Sequence, residues 1–267
     1  MKRFFMFLAV FHVLLSCAFA ENPEWDYPLS PLIIRDAQNY LTLANKDHLL
    51  DPSYVPEDLV SVTARHVSGR FQLRLAAHQA LIKMFDDAKD AGITLYVKSA
   101  YRSYQTQKTM YSNRLEKNNG KDDGWVSYPG ASDHQTGLGL DVLNYAWSQK
   151  DGMNAEFAKT KEAQWMAEHC HEYGFIIRYQ EDKQDITGIN YEPWHLRYVG
   201  KECAEYMTDN HLCLEEFTDE WRAYLADYQA RGGDFAAYCR QLTTLPDPET
   251  TGIYDDSGDA EVSFFMQ

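Results

Sequence analysis

The chain is 267 residues long and carries 40 acidic against 25 basic side chains, a formal charge of -15. That excess disfavours nucleic acid as a partner, because neutralising phosphates takes clustered Lys and Arg, and it describes a solvated acidic surface. Beyond the first 20 residues no stretch is long and apolar enough to predict a transmembrane span.

Those first residues, MKRFFMFLAVFHVLLSCAFA, set Lys2 and Arg3 ahead of an apolar run that closes on small side chains. This is the pattern of a secretory signal peptide cleaved after Ala20, so the expected location is extracytoplasmic, in a periplasm or cell envelope. Cys17 in LLSC is the alternative processing point, as a lipid-modified first residue. Cleavage leaves 23 basic and 40 acidic residues, about -17. It also leaves Cys170, Cys203, Cys213 and Cys239, an even number that in an exported chain suggests disulfides. Cys203 with Cys213 and Cys170 with Cys239 is one pairing; buried free thiols are the alternative.

The remaining chain, about 245 residues, is enough for one sizeable core and shows neither repeats nor a Gly/Ser linker. Residues 32–46 and 71–91 read as helices, the second with Phe71, Leu75, Ile82, Phe85 and Ala88 on one stripe and Gly92 as its stop. ITLYVKSAY alternates Ile93, Leu95, Val97 and Ser99 against polar neighbours, a strand with one buried face that delivers YRSYQTQ to another helix. Residues 120–130 are rich in Gly, Asp and Pro and read as a surface loop. GLGLDVL follows as a strand, residues 155–173 as a helix closed by Gly174, FIIRY and WHLRYVG as strands about a turn at 181–189, and 201–240 as helical. Short strands joined by helices and hairpins predict an α+β domain with an antiparallel sheet. From Leu245 the chain has six acidic residues, two prolines and no Lys or Arg, the composition of a mobile tail.

The chemistry concentrates in two places. SDHQTGLGLD holds His134 and Asp141, and glycines at 137 and 139 let the backbone turn so that both reach one cation. YEPWH adds His195 as a third ligand and Glu192 as a carboxylate beside the metal, placed to take a proton from cation-activated water and pass it to a leaving amine. Taken singly, each is an ordinary polar residue at a turn or strand end; together they are the inventory of a zinc hydrolase with one catalytic Zn2+. His169 and His171, two apart on a helix, point about 200° apart and cannot chelate one ion. Tyr101 and Trp194 flank the predicted site as candidate walls.

The blocks SAYRSYQTQ, SDHQTGLGLD and EPWH, in this order, resemble the VanY-type D-alanyl-D-alanine carboxypeptidases, zinc metallopeptidases of bacterial cell-wall metabolism. LANKDHLLDPSYVPEDL and YGFIIRY extend the likeness over roughly residues 40–216. The departures are Ala100 for a common glycine, Asp133 for glutamate and Gly139 for alanine; none removes a functional group. The resemblance implies a single domain with a central antiparallel sheet flanked by helices, the D-Ala-D-Ala metallopeptidase (hedgehog/DD-peptidase-like) fold. It implies His134, Asp141 and His195 as zinc ligands, Glu192 as general base and acid, Arg102 on the oxyanion, and Ser132 and Gln107 on the terminal carboxylate of a peptidoglycan stem peptide. A cationic Arg102 at a strand-to-helix junction suits that task on physical grounds as well.

The expected partition is a signal peptide (1–20), a catalytic domain (21–216), a helical extension (217–244) and an acidic tail (245–267). Release of the C-terminal D-alanine is the expected reaction. An L,D-carboxypeptidase, a dipeptidase or an endopeptidase would use the same residues, with selectivity in loops such as 117–130. A non-catalytic zinc-containing module is the rival of another class, and it has no need of Glu192 as a base.

Overall fold

The computed structural model describes residues 22–37, 40–63, 66 and 70–244; the expected signal peptide and acidic tail lie outside them. In chain order, α1 (Pro31–Ala37) precedes an antiparallel pair, β1 (Leu59–Ser61) with β2 (Gln72–Arg74). Then come α2 (Leu75–Asp90), β3 (Tyr96–Ser99), α3 (Tyr104–Lys117), β4 (Gly139–Leu143) and α4 (Tyr145–Ser148). The chain continues through α5 (Lys161–His169), β5 (Phe175–Ile177), α6 (Gln184–Thr187) and β6 (His195–Tyr198), and ends in α7 (Lys201–Asp209), α8 (Leu214–Ala230) and α9 (Phe235–Thr244).

The four later strands form one sheet in the order β3-β4-β6-β5, antiparallel throughout. Alternation divides its two faces. Val97, Leu140, Val142, Phe175 and Leu196 point into the larger core, where Leu81, Met84, Phe85 and Ala88 of α2 and Ala163 and Met166 of α5 cover them. Burying such side chains is worth about 1.5–3 kcal/mol each, so this face anchors the sheet. The opposite face carries Asp141, His195 and Arg197. A second core gathers Tyr27, Ile34, Leu41 and Leu43 with Val199, Met207, Leu214, Phe217 and Trp221, tying the amino-terminal segment to α7 and α8.

The predicted α+β architecture with a central antiparallel sheet is what the structure shows. Several boundaries differ. The expected helix over 32–46 ends at Ala37, and the carbonyls of Tyr40 and Thr42 accept from Arg197 Nη2 at 2.8 and 2.9 Å, so these oxygens serve a buried cation in place of a helical ladder. Residues 72–74 join β1 before the second helix starts at Leu75. The stretch 155–173 is interrupted at Thr160, whose side chain accepts from the Ala163 amide and starts α5 afresh, and it closes through a 3₁₀ turn at Gly174, φ +83°. Residues 201–240 are three helices, with α8 running across position 216.

The disulfide expectation is corrected. Cys170, Cys203 and Cys213 are buried free thiols, and the Cys239 thiol donates to the Pro31 carbonyl at 3.6 Å. Among the described residues no helix is long and apolar enough to cross a membrane.

Candidate active site

Antiparallel pairing of β4 with β6 sets Asp141 directly opposite His195, so their side chains leave the same face of the sheet as nearest neighbours. His134 reaches them from the 3₁₀ turn Asp133–Thr136, which ends at Gly137 in the left-handed conformation, φ +69°. Two bonds pin that turn to the end of β3: His134 Nδ1 to the Ala100 carbonyl at 2.7 Å, and the Arg102 amide to the His134 carbonyl at 3.1 Å. Gly139 is small for a different reason. A Cβ there would meet the Cβ of Asp133 at 2.8 Å, so two of the positions at which this chain departs from the common family pattern touch each other.

His134, Asp141 and His195 each offer a ligand atom, and these atoms lie within 4.8 Å of one another. His134 Nε2 is 3.5 Å from Asp141 Oδ2, and His195 Nδ1 is 3.1 Å from Asp141 Oδ1. The bond from Nδ1 of His134 to a carbonyl fixes the tautomer that leaves a lone pair on Nε2. His195 Nε2 is buried and meets no hydrogen-bond partner among the described residues. All three residues are at most 3% exposed. Burial and the Arg102 charge lower the His134 pKa to about 4, so the imidazole is neutral near pH 7, the form that binds metal. Burial raises the Asp141 carboxyl, but the two imidazoles outweigh it and hold the group well below the usual carboxylate range. Two imidazoles and one carboxylate whose ligand atoms converge in a buried pocket fit a tetrahedral cation with one position left open.

Glu192 stands beside this set, its Oε2 3.7 Å from His195 Nδ1. The chain places it with backbone bonds on both sides: its amide donates to Tyr179 O at 3.1 Å and its carbonyl accepts from the His195 amide at 3.0 Å. Burial, reinforced by the Asp141 charge and opposed by Arg102, raises its pKa well above the ordinary value. Arg102 is fixed on one edge, donating from Nη1 to Gln107 Oε1 at 2.7 Å and from Nη2 to Ser99 Oγ at 3.3 Å. Burial lowers its pKa, while the charges of Asp141 and Glu192 raise it.

These groups line one cavity of about 370 Å³ together with Ser132 and Trp194, so seven of the nine residues singled out in the sequence converge there. Gln107 and Tyr101 do not line it. Gln107 is 1% exposed, and both ends of its amide are engaged, Oε1 by Arg102 and Nε2 by the Ser127 carbonyl at 2.6 Å. In this structure Gln107 holds Arg102 from outside the cavity lining. The Tyr101 amide bonds to Gln72 O, and the residue is half-buried outside the cavity lining.

Several wall residues escaped the sequence reading. Tyr179 closes one side with its ring centroid 5.0 Å from that of His195. Trp125, from the loop already flagged for selectivity, stacks on Trp194 at 6.3 Å and 14°. Met110, Met153 and Asn154 complete the lining. A tyrosine at a strand end and aromatics in a loop carry no local signal of a shared cavity.

Comparison with known proteins follows the same residues. The family model described as VanY: D-alanyl-D-alanine carboxypeptidase matches residues 70–201. A Bacillus subtilis (strain 168) chain provisionally named carboxypeptidase YodJ is 41% identical over 195 residues, 70% of each chain. The structure of the LdcB LD-carboxypeptidase aligns with 39% identity and a TM-score of 0.63, covering 69% of this chain and 88% of that one. The Zn(II) complex of the D,D-pentapeptidase VanY from a VanB-type resistance cassette aligns with 30% identity and a TM-score of 0.55, covering 67% and 99%.

Proposed function

Because this chain belongs to the VanY family of D-alanyl-D-alanine carboxypeptidases, we propose that it removes the C-terminal D-alanine from peptidoglycan stem peptides with the help of one zinc ion. The observation that carries this reading is the convergence of His134, Asp141, His195, Glu192 and Arg102 on one cavity. Two imidazoles and a carboxylate would hold the ion. Bound there, zinc supplies Lewis acidity toward a carbonyl and makes water a nucleophile near neutral pH.

The chain's own residues do the rest. Glu192 as carboxylate takes a proton from the attacking water, and the burial that raises its pKa suits it to hold that proton until it is returned to the departing amine of D-alanine. Arg102, braced by Gln107 and Ser99, presents its guanidinium to the negative charge that develops on the carbonyl oxygen. Ser132, whose hydroxyl makes no cap bond to its own turn, is available to the terminal carboxylate. Trp194 and Trp125 form one wall of the cleft. No serine nucleophile takes part, so β-lactams are expected to leave the reaction untouched. Action on the wall outside the cytoplasm agrees with the leader expected at residues 1–20.

A second reading has a specific observation behind it. Identity and TM-score are both higher for the LD-carboxypeptidase LdcB than for VanY, which favours cleavage after an L-centre on the same scaffold. Incubation with defined tri-, tetra- and pentapeptide stems and mass analysis of the products separates the two. Loss of one alanine from the pentapeptide supports the D,D reading; loss from the tetrapeptide alone replaces it with the L,D one. Failure to shorten any stem overturns both.

A further inference from the structure

The cleft contains a second arginine besides Arg102. Arg114 lies ten residues along α3 from Tyr104, roughly 15 Å from the helix start at 1.5 Å per residue. Met110, one turn earlier on the same helix face, lines the cavity with it. The same cavity is lined by the apolar side chains of Met110, Trp125, Val126 and Met153.

Arg114 is oriented by a built clamp. Asp123 takes its Nε at 3.1 and 3.0 Å and its Nη2 at 2.6 Å, so one edge of the guanidinium is engaged and Nη1 lies outside the pair. Asp123 is itself fixed, because its carbonyl accepts from Asn190 Nδ2 at 2.8 Å and the Asn190 amide donates to Gly124 O at 2.9 Å. The chain as a whole is strongly acidic, so an anionic group on a substrate gains attraction only from a local cation such as this one.

We infer that Arg114 is a specificity residue, binding a free carboxylate on the part of the substrate peptide N-terminal to the scissile bond through the guanidinium edge that Asp123 leaves open. This inference rests on the peptidase reading above. An extended peptide advances about 3.3 Å per residue, so the roughly 15 Å from the start of α3 to Arg114 matches about four to five residues of a chain whose terminal carboxylate is held by Ser132.

The test uses zinc-loaded protein and two synthetic peptides ending in D-Ala-D-Ala. They are identical except that one acidic residue upstream carries a free carboxylate in the first and a carboxamide in the second. The wild type is expected to prefer the carboxylate form by about tenfold in kcat/KM, chiefly through KM, as one charge-assisted contact provides. In Arg114→Gln that ratio falls to within about twofold of unity, and Arg114→Lys retains part of it. Equal cleavage of the two forms by the wild type overturns the inference while leaving the peptidase reading intact, and it does so even where the Gln variant fails to fold. A Gln variant slowed on both forms in equal proportion also overturns it, since that is what a loop staple alone would give. Cleavage of neither form overturns the inference and the function together.

Discussion

Two residues along each strand separate two clusters of buried charge on the same face of the sheet. At the pair Gly139–Arg197, Asp133 lies between Arg178 and Arg197, and Arg178 is closed from its other side by Glu215, with both Nη atoms at 2.7 Å. Arg197 spends its remaining donors on the carbonyls of Tyr40, Thr42 and Tyr198. Two arginines meet two carboxylates, and every charged end has a partner. At the neighbouring pair, Asp141–His195, two carboxylates face one arginine and two imidazoles, one nitrogen has no partner among the described residues, and a cavity opens over them. Burial is nearly the same in both places, so the difference lies in satisfaction. A buried charge that lacks a partner is costly, and a fold keeps it where something from outside completes it.

Glu192 is the side chain whose loss separates the two clusters most strongly. Replacement by Gln keeps the shape and removes the proton carrier, so kcat should fall by about 10³-fold while zinc content and thermal midpoint stay at the parent values. Metal analysis and a melting curve on the same preparation check this, and parent-rate turnover would remove Glu192 from its role. In the closed cluster the outcome should invert. Asp133→Asn leaves two buried arginines short of a carboxylate and should cost about 3–5 kcal/mol of stability, read from denaturant unfolding.

Acid offers a third handle on the same cluster. Burial raises Asp133 and Glu215, but their arginines outweigh it and hold both below their ordinary values of 3.8 and 4.5. With the folded pKa values lower, the unfolded chain binds more protons in that range, so the stabilisation is present above about pH 4.5 and is lost as the pH falls through the folded values. The thermal midpoint of the wild type should drop below that pH, and that of Asp133→Asn should drop less steeply. A parallel fall in the two proteins would show that the cluster does not carry the acid sensitivity.

The smallest expected effect is Gly139→Ala. Its new Cβ must displace Asp133, costing about 1–3 kcal/mol as overpacking, measured in the same unfolding assay. A neutral result would mean that the turn at 133–136 gives way freely.

The same contrast explains what could be read from the chain. The open cluster was legible because metal chemistry restricts residue types, and His134, Asp141, Glu192 and His195 occupy two short blocks. The closed cluster was not: Asp133, Arg178, Arg197 and Glu215 are scattered over more than eighty positions, and nothing in their spacing distinguishes them from surface charges until the sheet brings them together. Leu41 and Leu43 misled for a related reason. Their apolar side chains suit a helix or an extended strip equally, and the choice was made by Arg197, more than 150 residues away, which requires the carbonyls of Tyr40 and Thr42. Gln107 lies in the right block, yet its amide is turned toward Arg102 and the Ser127 carbonyl, an orientation that only the packed loop dictates.

If a single ion completes the unsatisfied cluster and the reaction needs it, removing that ion abolishes turnover. Protein stripped with a chelator and titrated with zinc, with D-alanine release from a pentapeptide stem followed at each addition, tests this most directly. Activity should start near zero and rise to a plateau at one zinc per chain. Full activity in the stripped protein, or none at any zinc level, would contradict it.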